Sequence, residues 1–193
     1  FTKDTEFETF SQELRISTPR EGRKVFYVGG VYYLKESIFA KDSIALKEDF
    51  APVWQQQFGI PVSPIPGYFE YVSPNSQVES TSMAAFAAGS LEVSERVRVN
   101  AGVRYTVEEK TLDFFQNIGS DFGLISLAVA QVGTAAEPLR REVTDKVLSY
   151  NLGMDFKTTE KLLLYVNMAR GFKGAGFNTE FAPDSLGGTL VFK

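Results

Sequence analysis

The chain contains neither cysteine nor histidine. The first absence excludes disulfides and thiol chemistry and says little about compartment. The second removes Ser-His-Asp and Cys-His catalysis together with imidazole metal sites. No run of 18 apolar residues occurs, which excludes a transmembrane helix, and no amino-terminal signal peptide is visible. Charge of one sign is also scarce: 20 basic and 24 acidic residues are spread along the chain for a net charge of −4. That leaves no basic stripe for nucleic acid and no acidic tail. The adjacent carboxylates Glu108 and Glu109 point to opposite faces of a strand and cannot flank one scissile bond. An EF-hand loop is missing as well. No catalytic residue, resident metal or cofactor is therefore expected, and the chain does not read as an enzyme.

What is present is alternation. In the stretch Thr81–Lys110, the arm RVRVNAGVRYTVEEK sets Val97, Val99, Ala101, Val103, Tyr105 and Val107 against Arg98, Asn100, Gly102, Arg104, Thr106 and Glu108. Successive side chains of a strand face opposite ways, so one face is continuously apolar and the other polar. The arm exceeds the usual strand length of about five or six residues and reaches the roughly nine to eleven that a tilted strand needs to cross a bilayer. With the incoming arm TSMAAFAAGSLEV and a turn at Ser94-Glu95, it forms half of a transmembrane β-hairpin.

Two further hairpins flank it. Phe10–Ser17 (FSQELRIS) is followed by a turn with Pro19 and Gly22 and a return arm Val25–Ser37, apolar on both faces, in which Gly29-Gly30 marks a bend or a close approach. Arg141–Phe156 alternates Leu148, Tyr150, Leu152, Met154 and Phe156 with polar or small residues. It turns at Thr158-Thr159-Glu160 into Leu162–Phe172. Long connections separate the hairpins, about 38–79 and 111–140. The first is rich in proline and aromatics; the second holds the apolar run Phe122–Val132. Loops of this length tend to be functional. Short and long connections in strict alternation favour an outer-membrane barrel, whereas a sandwich shows turn signals every 8–12 residues or so.

The expected fold is thus all-β: an antiparallel transmembrane β-barrel fragment of about six strands in three hairpins. Phe1 and Val191-Phe192-Lys193 carry no cap or turn, so the chain is expected to be a piece of a longer one. The mean hydropathy of −0.10 suits a wall whose lumen side dilutes its lipid side. Tyr105, Tyr150 and Phe156 suit an aromatic girdle.

Specific motifs narrow this reading. LLLYVNMARGFKGAGFN, ending at Asn178, resembles the strand-and-loop signature of TonB-dependent outer-membrane receptors, commonly "LLYASVSRGFKSGGFN". AAFAAGSLEVSERVRVNAGVRYTVEEK resembles the family's strand-turn-strand with its "GxRYT-EEK" ending, and FSQELRIST with VFYVGGVYYLKES resembles another strand pair. The three pieces stand in family order over about half the chain. The resemblance implies a barrel of about 22 strands filled by an amino-terminal plug. It also implies a Gram-negative outer-membrane location and TonB-driven uptake of a scarce ligand, by default a ferric siderophore. Neither plug nor TonB box is found in this sequence, so contact with TonB is expected only through such a plug.

Candidate binding residues follow from both readings. Trp54, Phe58, Tyr68, Phe69 and Tyr71 could clasp a ligand at the mouth, or pack among themselves or at the interface. Arg98 and Arg104, with Asn100, Thr106 and Glu108, could line a ligand path. The favoured reading of that column is an ordinary water-facing wall pairing Arg with Glu across strands. Arg170 and Lys173 could attract an anion, although glycines Gly171, Gly174 and Gly176 point first to tight backbone geometry. A porin-like barrel and a secreted β-sandwich binding domain are the alternatives.

Overall fold

Backbone hydrogen bonding, which is indifferent to side chains, carries the strands past the point where the apolar pattern stops. The computed structural model describes residues 2–19, 23–46, 50–59, 69–118, 133–179 and 191–192. Six strands form one antiparallel sheet in sequence order: β1 (Thr2–Ser17), β2 (Val25–Leu46), β3 (Phe69–Ser94), β4 (Val97–Ile118), β5 (Leu139–Thr159) and β6 (Leu162–Arg170). A helix α1 (Phe50–Phe58) lies between β2 and β3, and a short pair, β7 (Gly176–Phe177) and β8 (Val191–Phe192), follows β6.

The three hairpins stand where the alternation puts them. The long connections are shorter than the expected 38–79 and 111–140, because β2 runs on to Leu46, β3 begins at Phe69 and β4 ends at Ile118. The β3 extension is rich in Ser, Asn, Gln and Glu, and those of β2 and β4 mix apolar and polar residues on both faces, so no amphipathic signal marks them. Pro74 is accommodated where β2–β3 pairing lapses between Lys41↔Asn75 and Ile44↔Val72, as expected for a residue with no N–H to donate. Phe122–Val132 lies outside the described residues. The β3–β4 turn is closed by Ser94, whose Oγ accepts from the backbone N–H of Arg96 (3.3 Å) and Val97 (3.2 Å).

The sheet is a single layer with two unlike faces. On the apolar face Val103, Tyr105 and Leu152 keep 45%, 48% and 49% of their surface exposed. A β-sandwich would have buried these residues under a second sheet. On the opposite face Ser80, Ser82 and Thr106 are buried among their neighbours. Crowding on the polar side and openness on the apolar side are what an inward-curving wall produces. The polar face is the lumen side and the apolar face the outer side.

The outer band has a definite height and slope. On β4 it covers Val97–Val107 and gives way to Glu109, Thr111 and Asp113. Eleven residues at about 3.3 Å each, tilted by about 45°, span about 25 Å, the height of an outer-membrane apolar band. The upper edge of the band lies at Tyr33, Met83 and Val107, one cross-strand row on β2, β3 and β4, with Phe39 and Phe115 as single apolar residues beyond it on the same face. On β5 it drops to Leu148, partner of Tyr105, and on β6 to Met168, partner of Leu152. From β4 to β6 the edge falls from the level of Val107 to that of Ala101, six residues along the strands. The boundary is oblique to the strands because the strands are oblique to the membrane.

Candidate functional site

The lumen face carries the polar side chains, and register decides which of them meet. One row runs Arg15, Gly30, Phe86, Arg104 and Ser149 across β1 to β5. Gly30 is required here: a Cβ would collide with the Leu14 carbonyl oxygen and come within 2.8 Å of the Phe86 ring. The close approach expected at Gly29-Gly30 is therefore real. The Phe86 ring fills the space that Gly30 leaves and lies between two guanidinium groups. Arg15 and Arg104 each stand 5.9 Å from its centroid, and Arg104 is 5.2 Å from that of Tyr32. Such cation–ring contacts contribute about 0.5–1 kcal/mol when exposed and more when dry.

The two arginines differ in charge balance. Arg15 donates through Nε to the Glu13 carboxylate. Arg104 donates through Nε to the Thr106 hydroxyl (3.2 Å), and among the described residues it pairs with no carboxylate. Arg104 therefore offers a half-buried positive charge on an aromatic platform.

Arg98 does not join it. It sits six residues away along β4, about 20 Å toward the short turn, and pairs across the hairpin with Glu92 at 2.5 Å. Arg98 thus makes a cross-strand Arg–Glu pair of the kind an ordinary water-facing wall carries. Asn100 likewise donates through Nδ2 to Asp155 (3.2 Å). Arg170 ends β6 opposite Tyr150 and so shares the outer face, at the top of the oblique band. It does not line the lumen. LLLYVNMAR is apolar on both faces, so periodicity gave no side to its arginine. Tyr105 and Tyr150 each stand one outer position short of the band's upper edge on their own strands, and Phe156 lies toward the lower edge.

Of the aromatic set, Trp54 and Phe58 belong to α1, one helical turn apart, and Phe69 and Tyr71 open β3. Their side chains and Tyr68 lie outside the described residues. Residues that sequence reasoning missed are Tyr32 and Phe86. β2 is apolar on both faces, which hid Tyr32. Phe86 stands alone among alanines, and Gly30 was the signal that something large lies against the backbone.

A second polar cluster lies higher on the same face. Glu108 and Asp145 are cross-strand partners, and Lys110 Nζ stands 3.5 Å from Glu108. The segment after β6 comes down onto this cluster, and above it Leu112 and Phe114 are fully buried with Val78 and Phe177 packed on them. A depression of about 580 Å³ between Leu14, Val31, Met83 and Tyr105 opens on the outer, apolar side. It is no part of the polar path.

A single-layer antiparallel wall, apolar outside, polar inside and obliquely banded, defines the class: part of a large β-barrel. A family described as "TonB dependent receptor-like, beta-barrel" matches residues 12–190, and the chain belongs to that family. Among solved structures, the chain is similar to the ferric yersiniabactin uptake receptor FyuA from Yersinia pestis (TM-score 0.65, 16% identity). The overlap covers 92% of this chain and 23% of that one. It is also similar to the siderophore receptor PiuA from Acinetobacter baumannii (TM-score 0.54, 16% identity), over 86% of this chain and 24% of that one. The chain thus spans about a quarter of the length of either receptor. No curated protein matches it.

Proposed function

We propose that the chain forms part of the wall of a Gram-negative outer-membrane receptor that imports a scarce ligand, a ferric siderophore, with energy delivered by TonB. Family membership carries this reading, and the two-faced, obliquely banded wall supports it. Both solved neighbours are described as siderophore receptors or uptake receptors. TonB would act through the plug that such receptors carry, and the outer band Val97–Val107 would contact lipid. The Arg104–Tyr32–Phe86 platform suits a ligand with both anionic oxygens and flat rings. Trp54, Phe58, Tyr68, Phe69 and Tyr71 would contribute at the mouth.

The test is uptake of iron-labelled siderophores by cells bearing or lacking the full-length gene. Uptake is expected to saturate, to disappear without the gene and to stop when TonB is removed. Arg104→Ala should weaken binding several-fold, within the roughly 0.5–2 kcal/mol of such contacts, with no change in barrel mobility on unheated gels. Solute flux that persists without TonB and does not saturate would instead establish a porin-like channel.

A further inference from the structure

We propose that Asp145 and Lys110 form a clamp that holds the segment following β6 against the lumen wall, making it an inward strap fixed at Ala175. This rests on the barrel fold and on no property of the transported ligand. Beyond Arg170 the chain leaves the sheet edge and crosses to β4 and β5. There the Ala175 N–H donates to Asp145 Oδ2 at 2.8 Å, and the Ala175 carbonyl oxygen accepts from Lys110 Nζ at 2.9 Å. Both backbone groups of one residue are thus taken by charged side chains on two different strands. Ala175 itself is only 2% exposed. Hydrogen bonds to charged groups are stronger than neutral ones, and these two point in opposite senses, so together they fix the strap's position and its direction.

The flanking residues reinforce the clamp. A side chain at Gly174 would meet the Glu108 carboxylate, with Lys110 Nζ 3.5 Å away, and would push that carboxylate aside. Three residues further, Phe177 packs on the fully buried pair Leu112 and Phe114. Gly176 and Phe177 pair with Phe192 and Val191, which ties the returning chain to the same place. The charges are organised around the strap. Glu108 and Asp145 face each other across β4–β5, a like-charge pairing that would be unfavourable on a bare wall. Lys110 beside Glu108 and the Ala175 N–H on Asp145 relieve it. The strap therefore completes the wall electrostatically and narrows the passage along β4 and β5.

Hydrogen exchange by mass spectrometry on the full-length protein in detergent tests the clamp. Peptides covering 174–177 should exchange slowly, in contrast to the exposed turn at Glu95-Arg96. Asp145→Ala and Lys110→Met should each accelerate them about tenfold, because exchange follows the population of the open segment. Peptides from the β3–β4 hairpin should not change, which separates release of the strap from loss of the barrel. Should a wall substitution unfold the hairpin, Gly174→Val, made on the strap itself, supplies the same comparison. Fast exchange of 174–177 in the unsubstituted protein overturns the proposal. So does exchange unmoved by substitutions that leave the hairpin folded.

Discussion

At the scale of single residues, position along a strand says less than position across the sheet. Arg98 and Arg104 share a strand and a face, yet Glu92 neutralises one and two rings flank the other. Arg98–Glu92 is exposed and contributes at most about 1 kcal/mol. The more demanding residue is Gly30, where the Phe86 ring and the Leu14 carbonyl leave no room for a Cβ. Gly30→Val is expected to destabilise the barrel by about 1–3 kcal/mol, the usual cost of overpacking, and to displace Phe86 from between its arginines. The temperature at which the folded form is lost on semi-native gels measures the first effect. The need for glycine was visible in the sequence as Gly29-Gly30, but its partner was not, since Phe86 lies 56 residues on in the numbering.

At the scale of the element, the β3–β4 hairpin shows why the alternation was so readable and where it ended. Between Val97 and Val107 the two faces meet different solvents, and the sequence must alternate. Beyond Glu109 the outer face turns polar and the lumen face buries Leu112 and Phe114 under the returning chain, so the same ladder continues without that alternation. The prediction at this scale compares the faces. Val103→Arg, in the outer band, should cost about 2–4 kcal/mol, whereas Ser90→Arg on the lumen side should cost far less. Folding yield into lipid vesicles against denaturant distinguishes them, and equal costs would contradict the assignment of faces. The pair β7–β8 and the strap between β6 and β7 carried no such signal. Their positions are set by Asp145, Lys110 and Leu112, residues of other strands.

At the scale of the whole molecule, the sheet among the described residues has two unpaired edges, β1 and β6, and a broad outer apolar face. Unpaired edges and apolar surface together favour association in water. The chain of 193 residues expressed alone is expected to aggregate in plain buffer and to gain β-structure only in detergent. Gel filtration and circular dichroism, with and without detergent, check this. A monodisperse, cooperative fold in buffer would contradict the wall described here.

The sequence by itself determined the class of fold, the three hairpins, the lipid-facing stretch of β4 and the family, because a strand between two solvents is written residue by residue. Periodicity is local information, and so is a turn motif. The tertiary structure alone decided that Arg170 faces outward, that Arg15 and Arg104 flank Phe86, and that Ala175 is held by β4 and β5. Each of these depends on strand register, and register is settled by many weak contacts between residues far apart in the chain.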